Sequence, residues 1–390
     1  MRHARELLDQ AGTGRGGSQK KVMIEVMVKP GTQAQLSRRA GYSPGLVSDA
    51  IKELARDGVV DRSRGDKVRL ASMRGVAVGI DIGFNHTSVV ARPLERSVGE
   101  AATRRGEPGI NVGLADLRSD LLRMVQEVVE ETGQAMTDVV SAGVAVPRMI
   151  DSRTGRFTLP VLPPWEADDD PAQMLSGELR VPVAIDNDAN LGVVAEQIYG
   201  SDDPVEHIVY VKASTGVGVG IMLGPNLVRG QRGMAGEIGH LIVERGGRMC
   251  LCGGRGCLDT VIGSAALIAK VEESHRGTDR ENPVTLAELV AKASRDDAVC
   301  RRVLNDAGRV LGFALAQLCN LINPHRIVIG GELSSAGDIV LEPCGSELRR
   351  HALYAATCSS SDFELGLSAL SPFAEAHGAL VLGLRTWSSK

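Results

Sequence analysis

The densest chemistry in this chain lies at residues 235–259, AGEIGHLIVERGGRMCLCGGRGCLD. His240 is followed after nine residues by Cys250, then by Cys252 and, four residues on, by Cys257. Thiolate sulfur and imidazole nitrogen are preferred zinc ligands, and three Cys with one His form a closed structural set. Gly253, Gly254 and Gly256 give the backbone the freedom that such closely spaced sulfurs require. A structural zinc held by His240, Cys250, Cys252 and Cys257 in a loop spanning 240–257 is therefore expected. The other cysteines (Cys300, Cys319, Cys344, Cys358) are scattered and read as small core or surface residues, with no disulfide framework.

A second group of residues suited to recognition lies near the N-terminus. Residues 1–75 carry 15 Lys/Arg against 8 Asp/Glu, whereas the remainder carries 29 against 40. A basic head on an acidic body points to double-stranded DNA as the partner of the head alone. Outward side chains of a helix starting at Ser43-Pro44 would read base edges: Ser43, Gly45, Ser48, Asp49 and Lys52. Arg62, Arg64 and Lys67, in a following polar turn, would approach phosphates. Asp49 repels phosphate unless it accepts from a cytosine amino group.

The elements that must carry these residues follow from periodicity. After a flexible tail at 1–17, KVMIEVMVKP has helical spacing and stops at Pro30-Gly31. TQAQLSRRAG forms a second helix closed by Gly41. The third has Ser43 as N-cap, Pro44 at its first position and Val47, Ala50, Ile51 and Leu54 on its inner stripe. VVDRSRGDKVRL reads as two short strands around Gly65. Three helices and a basic hairpin over 18–70 predict a winged helix-turn-helix, the alternative being a small helical interaction module.

From residue 75 onward, buried-strand patterns (VAVGIDIG, VVSAGVAVP, VPVAIDNDAN, HIVYVKASTGVGVGIML, RIVIGGEL) alternate with helical ones (LADLRSDLLRMVQEVVEET, VLNDAGRVLGFALAQLCNLIN). That alternation predicts an α/β fold with twisted sheets. Aromatics make up only 3% of the chain, so its core must rest on Ala, Val, Leu and Ile. No apolar run is long enough to span a membrane and the N-terminus lacks a secretory pattern, so a cytoplasmic protein is expected.

The motifs IDNDAN (185–190), STGVGVG (214–220), AGEIGH (235–240) and CLCGGRGCLD (250–259) together resemble the ROK family of repressors, open reading frames and sugar kinases. The resemblance implies a two-lobed actin/hexokinase-like (ribonuclease H-like) body at 75–390. By that match Asn187, Asp188, Glu237, His240 and Asp259 bind sugar hydroxyls, His240 using its second ring nitrogen. Family kinases carry an Asp-x-Gly-Gly-Thr phosphate turn, but here it reads Asp81-Ile82-Gly83-Phe84-Asn85. Two further departures flank the expected cleft: Asp259 where Glu is more usual, and Arg148 where glycine is. The expectation is therefore a sugar-responsive repressor of carbohydrate genes. It would bind a palindromic operator as a homodimer or tetramer, with no catalytic residue. The alternative is a glucokinase-like sugar kinase with an accessory head, in which Asp188 is the base.

Overall fold

The computed structural model describes residues 2–6, 17–62, 65–151, 153–158, 164–201, 205–357 and 363–387. The chain divides into two units: Met1–Tyr199 with Gln231–Gly233 and Glu375–Lys390, and Gly200–Gly230 with Met234–Ala374.

The first unit opens with β1 (Arg2–His3), which pairs in parallel with β4 (Met73–Arg74). Ala4 is fully buried, so the start of the expected tail is docked rather than free. Helices α1 (Gly17–Val28), α2 (Gln33–Ala40) and α3 (Pro44–Arg56) stand where the spacing places them. Thr32 and Gln35 form a capping box at the start of α2, and Gly41 closes it in the left-handed region at φ 66°. Ser43 caps α3, and Pro44 occupies its first turn. Asp57 ends α3, with Gly58 following at φ 67°. Strands β2 (Val60–Asp61) and β3 (Arg69–Leu70) pair antiparallel. Every residue from Val22 to Val28 is buried, on all sides of the helix and not on one face alone.

Beyond the head come β5 (Val76–Ile82), β6 (Thr87–Pro93), β7 (Ala102–Gly106), α4 (Leu114–Glu131) and β8 (Val139–Val146). The short pair β9 (Ile150–Asp151) and β10 (Arg156–Phe157), then α5 (Pro171–Leu179), β11 (Val183–Asn187) and α6 (Asp188–Ala195) complete this run. The sheet order is β11-β8-β5-β6-β7. Its first three strands in sequence form an antiparallel meander, and β8 and β11 then join in parallel.

The second unit repeats this plan. β12 (His207–Ala213), β13 (Val217–Leu223) and β14 (Asn226–Leu227) form the meander, with the run at 207–223 divided by a turn at Ser214–Gly216. After the metal-type loop come α7 (Asp259–Ile262), α8 (Ser264–His275), α9 (Leu286–Ser294) and α10 (Ala298–Ile322). β15 (Arg326–Gly330), α11 (Asp338–His351), α12 (Tyr354–Thr357) and β16 (Glu364–Leu367) follow, giving the order β14-β13-β12-β15-β16. Both five-stranded sheets thus share one topology, in which each parallel strand is reached through a helical crossover.

The chain returns to the first unit through α13 (Ala374–Thr386). This helix lies so close to the sheet that a Cβ on Gly79 or Gly143 would fall 1.9 Å from the carbonyl oxygen of Ala376 or Ala379. Gly143→Ala should therefore force the helix off the sheet and destabilise this unit by roughly 3 kcal/mol, at the upper end of overpacking costs. Denaturant unfolding would measure the loss, and unchanged stability would contradict this packing.

Candidate functional site

In the second unit the four expected metal ligands converge. The ligand atoms of His240, Cys250, Cys252 and Cys257 all lie within 4.8 Å of one another. His240 Nδ1 is 3.7 Å from Cys250 Sγ, and Cys252 Sγ is 3.7 Å from Cys257 Sγ. Sulfurs bound at about 2.3 Å to a tetrahedral ion would stand about 3.8 Å apart, so the donor set has the size of a zinc site. Burial and the adjacent sulfurs push the Cys257 thiol up to about 12, whereas the Gly254 N–H holds Cys252 low. A cation among the sulfurs would offset that crowding of negative charge. Gly256, at φ 70°, is essential to the loop, since a Cβ there would meet the Glu244 carbonyl oxygen at 1.6 Å.

The same segment positions Glu237 and Asp259. Glu237 precedes a single helical turn at Ile238–His240, and its Oε2 lies 3.9 Å from His240 Nε2. The imidazole thus directs Nδ1 to the sulfurs and Nε2 to the Glu237 side. Asp259 begins α7, and its Oδ1 accepts from the Val217 N–H at 2.8 Å. Burial raises this carboxyl above its ordinary range, while the Val217 N–H and His240 oppose that rise. A Cβ on Gly239 would meet Asp259 Oδ1 at 2.4 Å, so backbone and carboxylate are in close contact. Glu237, His240 and Asp259 therefore form one polar group on the rim of the metal loop.

Asn187 and Asp188 form a separate group in the first unit, where β11 passes into α6. Asn187 is the N-cap of α6: its Oδ1 accepts from Asn190 N at 3.1 Å, and its Nδ2 donates to Arg148 O at 3.3 Å. Asp188 is buried in the first helical turn, where the N-terminal dipole favours its charge. Its Oδ1 accepts from Ala189 N at 2.7 Å. Asp186 Oδ1 takes the Asn187 N–H at 2.8 Å and Asn190 Nδ2 at 3.3 Å, fixing the turn. The half-buried Arg148 guanidinium is lowered by burial and pulled back up by the charge of Asp188.

The turn after β5 is filled by its own chain. His86 Nε2 lies 3.3 Å from Asp81 Oδ2, and the ring covers Gly83 so closely that a Cβ there would meet ring atoms at 2.2–2.8 Å. Ile110 and Asn111 donate to the carbonyls of Gly83 and Phe84, and Phe84 is half exposed. His86 had no role in the sequence reading, because a lone histidine beside a glycine turn carries no distinguishing pattern.

In the head, Gly45, Asp49, Lys52, Arg62 and Lys67 are exposed and Ser48 is half-buried. The Ser43 hydroxyl accepts from Leu46 N as the cap. Asp49 pairs with Lys52 at 3.0 Å, which resolves its awkward charge locally. Arg64 lies outside the described residues. Leu46, 43% exposed at the start of α3, was not singled out from sequence.

Comparison with known proteins fits this arrangement. A model of the ROK family matches residues 77–385. The chain belongs to the ROK family. The xylose repressor of Bacillus subtilis (strain 168) is 26% identical over 341 residues, which cover 85% of this chain and 86% of that protein. A glucokinase of Halalkalibacterium halodurans is 35% identical over 231 residues, or 56% of this chain and 69% of the other. The crystal structure of a ROK family transcriptional regulator, a homologue of the E. coli MLC protein, superposes with TM-score 0.73 at 21% identity over 95% of this chain and 96% of its own. That neighbour supports the actin/hexokinase-like fold. No helix among the described residues is long and apolar enough to cross a membrane.

Cys252→Ser removes the most exposed thiolate of the cluster. The purified variant should carry less than half the zinc of the parent by atomic emission, because structural zinc is lost readily when one of four ligands is removed. Equal zinc in both proteins would show that the metal is held elsewhere.

Proposed function

We propose that this chain is a sugar-responsive, DNA-binding transcriptional repressor of genes for carbohydrate uptake or catabolism. The observation that carries the reading is the joining of an α1–α3 head with a β2–β3 hairpin to a ROK body in one chain. The xylose repressor of B. subtilis aligns along most of the chain, in keeping with that combination. As a winged helix-turn-helix, the head would lay α3 in the major groove. Gly45, Ser48, Asp49 and Lys52 would then face the bases, and Arg62, Arg64 and Lys67 the phosphates. The exposed Asp49–Lys52 pair is worth at most about 1 kcal/mol, so Lys52 is free to exchange it for a base or phosphate.

In the body, Asn187 and Asp188 form one group suited to sugar hydroxyls, and Glu237, His240 and Asp259 form another. Carboxylates accept from vicinal hydroxyls, and the amide both donates and accepts. Zinc held by His240, Cys250, Cys252 and Cys257 would fix the His240 ring and the loop that carries Glu237. The active form is a homodimer or tetramer on a palindromic operator. Exposed apolar side chains grouped near the end of α10 (Phe313, Leu321, Leu353, Tyr354) supply a surface for a second copy.

The second reading, a sugar kinase, is favoured by the glucokinase relative and by Asp188 at the position of the family's catalytic base. Against it stands the turn at Asp81–His86. His86 covers Gly83 and Phe84 adds bulk where a phosphate would meet backbone N–H groups. Phosphoryl transfer depends on positioning, which that filling hinders.

Three measurements test the proposal. Selection from a randomised duplex pool should enrich a palindrome whose half-sites lie about one helical turn apart. A thermal-shift panel of pentoses, hexoses, amino sugars and their phosphates should give one clear stabilising ligand. Asp188→Ala should retain operator binding yet lose the sugar response. Failure to enrich any sequence would overturn the DNA reading. ADP release from ATP and that sugar at roughly 1–100 per second would replace it with the kinase.

A further inference from the structure

The C-terminal end of α1 is held by the body as well as by the head. The last turn of α1 contains no basic residue, and its final carbonyls are buried. Such carbonyls carry the negative end of the helix dipole and need donors. Arg92 Nη2, from β6, donates to Met27 O at 2.6 Å. Tyr199 Oη donates to Val28 O at 2.8 Å, and Arg39 Nη2, from α2, to Lys29 O at 2.5 Å. In return Lys29 Nζ donates to Ile198 O at 2.7 Å. One turn earlier, Glu25 is only 2% exposed and takes both Arg385 Nε at 2.9 Å and Nη2 at 3.1 Å. His377, stacked edge-on to Tyr199 at 6.0 Å, is pushed down to about 4 by burial and so stays neutral beside Arg92.

Two of these contacts come from the far end of the helix that begins at Asp188. α6 continues without a break into a wider turn at Glu196–Gly200, which holds Ile198 and Tyr199. At about 1.5 Å per residue, the eleven steps from Asp188 to Tyr199 make a rod about 16 Å long. The rod is backed by α13, since a Cβ on Gly378 would meet Leu191 O at 1.8 Å. The same α13 carries Arg385 to Glu25. One rigid pair of helices therefore has the Asn187-Asp188 turn at one end and the cap of α1 at the other. α1 in turn packs on both α2 and α3.

We infer that α6 and α13 transmit sugar occupancy at Asp188 to the DNA-reading helix through the Tyr199–Val28 and Arg385–Glu25 contacts. The inference rests on the repressor reading and names how that site is regulated. A shift or rotation of α6 on binding changes the donors offered to the α1 carbonyls. The two arrangements of α1 are then biased by sugar at one end and by operator at the other, which makes the coupling reciprocal. Arg92, from the sheet, supplies a fixed third donor about which α1 pivots.

The test uses the full-length protein, the duplex enriched by selection, and D-xylose and D-glucose as probes. For each variant the dissociation constant for the duplex is measured with and without saturating sugar, and that for sugar is measured separately. Tyr199→Phe removes one hydroxyl and keeps the ring. It should leave sugar affinity within about threefold of wild type and shrink the sugar-induced change in DNA affinity by about fivefold, the factor expected of one hydrogen bond. Arg385→Met alone strands the Glu25 carboxylate and would disturb folding, so it is combined with Glu25→Gln. That double variant, checked by its thermal midpoint, should bind duplex and sugar with the response largely lost. A wild-type response preserved in both variants overturns the inference while leaving the repressor reading intact. A wild-type protein that binds duplex but responds to neither sugar overturns both the reading for these sugars and the relay built on it.

Discussion

The N-terminal unit depends on how the buried end of one helix finds hydrogen-bond donors. α1 ends among apolar side chains, where water cannot reach the carbonyls of Met27 and Val28. An unpaired buried carbonyl costs about 1–3 kcal/mol, so the position of α1 is fixed by whatever donates to it. Those donors come from a β-strand, from the tail of a helix and from α2. The Glu25–Arg385 pair adds a direction, because a bidentate guanidinium tolerates little rotation. α2 supplies one of the donors through Arg39, and both α2 and α3 pack on α1.

Legibility in the sequence followed the range of the interaction. The metal set was readable because its ligands are neighbours in the chain and only a few chemistries suit three sulfurs and an imidazole. The end of α2 and the start of α3 were readable for the same reason: Gly41, Ser43 and Pro44 act within one turn. Strands β6 and β7 went unread. TSVVARP contains a buried arginine and ends in proline, and ATRRG reads as a polar loop. The sugar role proposed for Asn187 and Asp188 rests on family resemblance alone, because IDNDAN by itself is a strand end running into a helix cap. Glu25 and Arg385, 360 positions apart, gave no local sign. Each looks like an ordinary surface charge until the fold buries the acid.

The repeated sheet topology explains why chemistry gathers at the turns. Each unit offers a first hairpin turn and a junction after its last strands, and the chain has treated the copies differently. In the first unit the hairpin turn is closed by His86 and Asp81, and the strand–helix junction carries Asp188. In the second the turn at Ser214–Gly216 remains glycine-built. Ser214 Oγ there accepts from Glu332 N, tying the turn to the Gly-Gly segment after β15. The two turns, alike in topology, are held by different partners.

The burial of Val22–Val28 in α1 also bears on how this architecture was assembled. A head joined by a linker could be cut out, exchanged or expressed alone, because its surface would be complete. Here an excised piece ending near residue 75 would lose the body's cover over part of the buried run Val22 to Val28 and leave a carboxylate deprived of its guanidinium. Such a fragment would tend to aggregate rather than stand as a free DNA-binding cassette. Recombination that swapped heads between relatives would succeed only where the receiving body already carried matching donors. The junction between head and body near residue 75 is therefore not a folding boundary, because the last turns of α1 are completed by Arg92, Tyr199 and Arg385.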